Sequence, residues 1–418
     1  MNNSNTLTPT PWNWISKFLF RFFFAYCSFS ILPVIGNILF NITNELISPL
    51  LNIEIINHPS GSGDTLYDYS KLAFTLIIAL IVALIWTLID RKSKEYKLML
   101  YLQETYIRYY LGAFMLVYGF SKVIKTQFGY PSLSELLFPL GNKSPMGLAW
   151  TFMGYSDTYT IFSGLCEVAG GLLLMYRKTR TLGAVVCFSV MLNVFLMNMS
   201  YDIPVKLFSF ELLLLSAFLI GLDYKRLVNV FILNKPVSSQ LNRNPFKPKW
   251  ANLTTQILKG VAIIAAVSLM IYNGLESQVQ YGDAAPKPPM YGIYEVEDFI
   301  INNDTIPPVL TDTIRWRYFV IDKGNSANVF KMKTSGYHNL VYYRSETDTL
   351  NKGISFFSYK DSTEVVKLKY RKTDSIHYAF EGIYKNDTIK LNTLRTDEND
   401  YLLMNRGFHW INEYPYNR

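Results

Sequence analysis

Residues 70–89, SKLAFTLIIALIVALIWTLI, hold one charged side chain, Lys71, and it stands second in the run. A run of that length and character spans the roughly 30 Å hydrocarbon core as a helix, with every backbone polar group bonded inside the segment. Six further runs are apolar and long enough to do the same, at 17–40, 107–125, 158–176, 181–199, 205–222 and 256–274. None begins after residue 275. Seven spans are therefore expected, followed by a soluble region. Charged residues make up 17% of the chain, where a soluble protein carries about 25%.

Loop charge gives the orientation. Arg91, Lys92, Lys94 and Lys97 follow the second span; Arg177, Lys178 and Arg180 follow the fourth; Lys225, Arg226, Lys235, Arg243, Lys247 and Lys249 follow the sixth. The intervening loop 41–69 has no Lys or Arg, and 126–157 has only Lys143. Basic loops stay on the cytoplasmic side, so the N-terminus is expected inside and the C-terminal region outside. The net charge of +8 belongs to these loops. Residues 275–418, with 18 basic and 19 acidic side chains, are near neutral. No basic arm or nucleic-acid motif is present, which argues against a nucleic-acid partner.

Several chemistries lack their residues. Cys27, Cys166 and Cys187 all lie in apolar runs without a C-x-x-C pair, so thiol exchange has no basis. The four histidines, His58, His338, His377 and His409, fall outside the spans and show no metal spacing. No phosphate loop and no nucleophile elbow occurs. No internal repeat or broken helix pair is evident, so transport has no signature. The stretch NELISPLLNIEII (44–56) reads as a surface helix or an ordinary loop. Residues 131–150 are too short and too broken by proline to span, and read as a re-entrant or surface segment.

The spans nevertheless carry ionisable groups. Glu167 sits in GLCEVAGGLLL, Glu211 in KLFSFELLLL. With Tyr118, Lys122, Asn193, Asn198, Asp202 and Lys206 they fall in the outer halves of spans three to six. A charge facing lipid is costly, so such groups are expected to face the bundle interior and to find partners. Gly164, Glu167 and Gly171 share one helix face, where glycine lets a neighbouring backbone approach. This predicts an outward-opening polar pocket, with Glu167 and Glu211 handling protons and the others binding a ligand. Two bland readings stand beside it. Lys122 and Lys206 reach the headgroups from helix ends, or pair with the glutamates as purely structural ion pairs, and the asparagines hold helices together.

The stretches RYYLGAFMLVYGFSKVIK, GLCEVAGGLLLMYRKTRTLGA and MSYDIPVKLFSFELLLL resemble the DoxX family of small four-helix membrane proteins. The resemblance covers residues 106–225. Its G-x-x-K helix ending is matched by Gly119 and Lys122, and its glutamate-glycine pattern by Glu167, Gly170 and Gly171. It implies a four-helix core and a link to quinone oxidoreductase subunits, with quinone as the cofactor. Two extra spans before the core, one after it and a large external region depart from the family's compact form.

Beyond a proline-rich linker at 282–292, segments such as TIRWRYFVID, ISFFSYK, EVVKLKYRK, IHYAFEGIYK, DTIKLNTLR and YLLMNRGFHWI are rich in β-branched and aromatic residues. Turn clusters separate them. About eight antiparallel strands are expected, as a small barrel or sandwich. The run YAFEGIYKNDTIKL resembles hairpins of calycin-type barrels, which often hold lipids.

The expected architecture is thus a polytopic α-helical membrane protein fused to a small antiparallel β-domain. Residues 1–105 hold two spans, 106–225 the four-helix bundle, 226–281 a cytoplasmic loop and the seventh span, and 282–418 the β-domain. The expected place is a bacterial inner membrane with the β-domain in the periplasm. Two functions remain open. One is a membrane protein that binds a quinone, lipid or small periplasmic molecule in the bundle, linked to redox chemistry. The other is a non-enzymatic anchor whose β-domain binds an envelope protein or a lipid.

Overall fold

The computed structural model describes residues 12–31, 33–51, 60–237, 248–333, 340–361 and 364–417. His58, His338, Arg243, Lys247 and residues 52–56 lie outside them. In chain order the helices are α1 (Trp14–Ile31), α2 (Pro33–Leu51), α3 (Leu66–Ile89), α4 (Lys97–Val123), α5 (Leu133–Leu136), α6 (Pro145–Tyr155), α7 (Asp157–Met175), α8 (Arg180–Ser200), α9 (Lys206–Gly221), α10 (Tyr224–Phe231) and α11 (Lys249–Gln280). Two compact units result: Met1–Gly119 with Ser163–Ile263, and Phe120–Phe162 with Ile264–Arg418.

In the first unit, α3 shows how the sequence sets the packing. Thr65 opens it with a capping box: its side chain accepts the Asp68 N–H, and its own N–H donates to Asp68 Oδ2 at 3.0 Å. Only a narrow stripe of small residues, Thr75, Ala79 and Ala83, is buried, and α3 packs against α1. The remaining face exposes Leu76, Ile77, Leu80, Ile81, Leu84 and Ile85. Small residues at a helix contact and large aliphatics outward are what lipid surroundings favour.

Among the described residues, four helices are long and apolar enough to cross a membrane: α3, α7, α8 and α11. Two more crossings arise if α1–α2 and α9–α10 each count as one span, but these pairs bend by 83° and 72°. The sequence shows no sign of such broken pairs except at the first, where Pro33 opens α2. The expected third span lies in α4. That helix carries Glu104, Arg108 and several tyrosines and is not among the four. The expected segment 131–150 forms only α5, one 3₁₀ turn at Leu140–Asn142 and the start of α6.

The second unit contains the strands β1 (Gly292–Ile301), β2 (Asp304–Thr305), β3 (Trp316–Ile321), β4 (Ser326–Lys331), β5 (Val341–Asp348), β6 (Gly353–Ser358), β7 (Val365–Lys372), β8 (His377–Tyr384) and β9 (Asp387–Thr396). Each strand from β3 onward pairs antiparallel with the next, and β1 pairs with both β3 and β9. That closure makes an eight-stranded barrel, with β2 a short flap on β1. Closing the sheet removes the exposed edges of an open one. Two-residue turns at Asn302-Asn303 and Lys385-Asn386, all at positive φ, suit the twist of a hairpin.

Aromatic side chains fill the barrel interior. Tyr294 stacks on Phe319 with ring centroids 4.7 Å apart, and Phe380 meets both edge-on. Trp316, Tyr343 and Phe356 are almost wholly buried beside them. The expected last strand, YLLMNRGFHWI, is instead the single-turn helix α12 (Leu402–Asn405) and an exposed tail. The barrel is already closed by β9 on β1, so no ladder remains for that segment. On the barrel's outer side, α5 is held by the Leu133 N–H, which donates to Asp322 Oδ2 at 3.0 Å, and by Asn328 Nδ2, which donates to Ser134 Oγ at 2.8 Å.

Candidate functional site

The first unit holds a cavity of about 740 Å³. Four helices converge on it. Ser30 and Tyr26 come from α1, Asp68 and Lys71 from α3, Phe114 and Tyr118 from α4, and Phe208 and Glu211 from α9. Its size is ordinary for a small-molecule site.

The start of α9 is fixed by the loop before α3. Asp64 accepts the N–H groups of Lys206 at 2.8 Å and Leu207 at 3.0 Å, so a carboxylate caps the positive end of the helix. The Gly63 N–H donates to Pro204 O at 2.8 Å. This docking sets Glu211, about one turn and a half along α9, against α1. There Ser30 Oγ donates to Glu211 Oε1 at 2.6 Å. Lys71 supplies the positive charge that acts on Glu211. The opposing walls are aromatic: Phe114 meets Phe208 edge-on at 4.9 Å, and Tyr118 lies 6.2 Å from Phe208. The chamber thus combines a polar group with ionisable members and a rigid apolar body, which fits an amphiphile with a polar head.

The expected site residues are only partly brought together. Glu211 and Tyr118 line the cavity. Glu167, 1% exposed on α7, does not, although it lies within electrostatic reach of the Tyr118 phenol. Asn198 is buried and donates to Ser209 Oγ at 3.0 Å, tying α8 to α9. Asn193 sits exposed on α8. Lys206 turns its ammonium to Asp202 Oδ1 at 2.8 Å and lies 3.7 Å from Asp64 Oδ2. Lys122 belongs to the other unit, where it is buried.

The chamber is walled by α1, α3, α4 and α9 rather than by spans three to six. Glycine packing gives the reason. A Cβ on Gly119 would stand 2.9 Å from Gly164 O, and one on Gly171 would stand 2.9 Å from Gly112 O. At Gly183 it would meet Leu174 N at 2.8 Å. With α4, α7 and α8 in backbone contact, no room is left between them. Ser30, Asp68 and Lys71 are lining residues that sequence reading missed. Their signal was a hydroxyl inside span one and a lysine at the head of span two.

Farther along α4, on the order of 20 Å from Tyr118 at 1.5 Å per residue, a second polar cluster closes the bundle. Arg180 Nη1 lies 2.7 Å from Glu104 Oε1, and its Nη2 pairs with Asp223. Arg177 lies 3.7 Å from Glu104. Arg108 donates to the carbonyls of Leu174 and Met175 at 3.0 and 3.2 Å, where a cation suits the negative end of α7.

No family model matches the chain. It is 32% identical over 133 residues to the uncharacterized protein YwoB of Bacillus subtilis (strain 168), covering 32% of this chain and 84% of that protein. No solved structure matches.

Proposed function

This chain belongs to the family of the uncharacterized Bacillus subtilis protein YwoB, and we propose that it is a DoxX-like protein of the bacterial inner membrane that binds a quinone or a similar amphiphile in the Glu211 chamber. The observation that carries this reading is the Ser30–Glu211 hydrogen bond at the polar part of an aromatic-walled cavity. A ligand's apolar ring system lies against Phe114 and Phe208. Its carbonyl head meets Lys71 and the Ser30–Glu211 pair, and Glu211 is the group that takes or gives a proton there. Glu167 acts from behind Tyr118. Lys206, with Asp202 and Asp64, and Asn198 hold the start of α9 in place.

The topology belongs to the same proposal. The helix ends beside the three basic loops meet at one cluster, since Glu104 in the first half of α4 contacts Arg177 and Arg180, and Arg180 contacts Asp223 just before α10. Loops that meet at one end lie on one side of a bilayer, and their charge assigns that side to the cytoplasm. The barrel then lies in the periplasm.

The test is a titration of the full chain in detergent with decylubiquinone, followed by tryptophan quenching, together with mass spectrometry of quinones that copurify. Saturable binding that weakens in Glu211→Gln supports the reading. Absence of both saturable binding and copurified quinone overturns it. The anchor reading is favoured by one observation, the aromatic filling of the barrel, which leaves the outer surface to meet a partner. Pull-down of a stable envelope protein that persists in Glu211→Gln would favour it instead.

A further inference from the structure

The second unit has a cavity of its own, about 750 Å³, that the reading above does not use. It lies between the α5–α6 segment and α12. Phe138, Leu148, Phe152, Tyr159, Leu402 and Leu403 make its walls apolar. One ammonium interrupts them. Lys143 is on the lining, half-buried, and its Nζ donates to Thr151 Oγ1 at 2.8 Å. That partner is neutral, and no carboxylate among the described residues lies within ion-pair distance of Lys143. Glu135 is the other charged group on the lining.

The position of this lysine is unusual in the chain. It is the sole Lys or Arg of residues 126–157, and 41–69 has none. Two loops almost stripped of cations keep one, and it stands at an apolar chamber. It also directly precedes Ser144, the N-cap of α6, so the first turn of α6 adds positive potential at the same place. A purely apolar ligand has no use for that charge, and a small soluble anion has no use for the walls.

We propose that this chamber binds an acyl chain ending in an anionic group, with Lys143 paired to the head and the chain laid between Phe152 and Leu403. A fatty-acid carboxylate and the phosphate of an anionic phospholipid share this chemistry. The site is independent of the Glu211 chamber.

The test uses the full chain in detergent and three probes: palmitate, palmityl alcohol and a diazirine-bearing palmitate for photolabelling. The label is expected in peptides covering 135–159 or 401–403. Palmitate is expected to bind more tightly than the alcohol. Lys143→Gln should weaken palmitate by about tenfold or more, as loss of a charge-assisted hydrogen bond does, and leave the alcohol unchanged. Lys143→Arg should restore binding, which separates charge pairing from misfolding. Leu148→Trp, which fills the chamber, should block both probes. Competition of the label by phosphatidylglycerol but not phosphatidylcholine assigns the site to phospholipid; failure of both to compete assigns it to free fatty acid. The proposal is overturned if palmitate and the alcohol bind alike, if Lys143→Gln binds palmitate as wild type does, or if the label maps elsewhere.

Discussion

Ser30 of α1 donates its hydroxyl to Glu211 of α9 across 2.6 Å, joining residues 181 positions apart at the polar part of one chamber. Ser30→Ala leaves a partly buried carboxylate oxygen without its donor, and Glu211→Gln removes the ionisable group while keeping the shape. Losing a hydrogen bond to a charged group costs about 1.5–3 kcal/mol. Glu211→Gln is therefore expected to weaken decylubiquinone by about tenfold or more, and Ser30→Ala by less, since Lys71 still acts on the carboxylate. Equal affinities in isothermal titration for wild type and both variants would remove Glu211 from the binding site.

The glycine contacts of α4 and α7 predict a steric penalty. At Gly119 a Cβ would lie 2.7 Å from Val168 Cγ2 and 2.9 Å from both Gly164 O and Val168 N. Two of those atoms are backbone, so the helices must separate. Overpacking of this kind costs about 1–3 kcal/mol. Gly119→Ala should lower the midpoint of thermal unfolding in detergent. Gly221→Ala, where nothing lies within 4 Å of the added carbon, should leave it nearly unchanged. The comparison between the two sites is the measurement, because both glycines are helical and only Gly119 meets backbone atoms of a neighbouring helix.

Arg180 answers two buried acids at once, Glu104 and Asp223. Arg180→Met takes the nearest cation from both, leaving Glu104 with Arg177 at 3.7 Å and Arg108 at 3.9 Å and Asp223 with Thr181 and Arg226; removing one partner of a buried pair costs about 3–5 kcal/mol. The triple variant Arg180→Met, Glu104→Gln, Asp223→Asn should recover part of that loss, because the two buried carboxylates that lost their nearest cation are then neutral. Urea unfolding of the three proteins in one detergent decides it. A triple variant as unstable as the single would mean that packing of the arginine stem, rather than charge, holds this end together.

The parts of the fold visible in the sequence are those set by local pattern. Strands β7 to β9 were legible because their residues alternate and short turn clusters bound them. β1 was not, and the reason is physical: its register shifts between Val296 and Asp298 where it pairs with β9, so alternation breaks inside the strand. The closing segment 401–411 has strand composition, yet closure of the barrel leaves it no partner. In the bundle, Glu211 and Tyr118 stood out as polar groups in apolar helices. Ser30 and Lys71 did not, because their meaning depends on α1 and α3 crossing α9. Glu167 reads in sequence as the equal of Glu211. The backbone contacts around Gly164 and Gly171 keep its helix out of the chamber wall.

Asp374 gives the barrel a defined acid response. The N–H groups of His377 and Ile376 donate to its Oδ1 at 2.8 and 2.9 Å, and the His377 ring meets its Oδ2 at 2.8 Å. Those bonds, the His377 N–H first, hold the carboxyl down to about 2, against about 3.9 for a free aspartate. Between these values the unfolded chain binds the proton that the folded chain refuses, so stability rises with pH across the interval. The contribution is fully present above about pH 4 and is lost as pH falls towards 2. Asp374→Ala should therefore be less stable than wild type at pH 7, and the difference should shrink as pH drops from 4 to 2. The check is urea unfolding of the barrel at a series of pH values, followed by near-ultraviolet circular dichroism of its aromatic core. A difference that stays constant over that interval would show that the turn stabilises the barrel through shape and not through the ionised carboxylate.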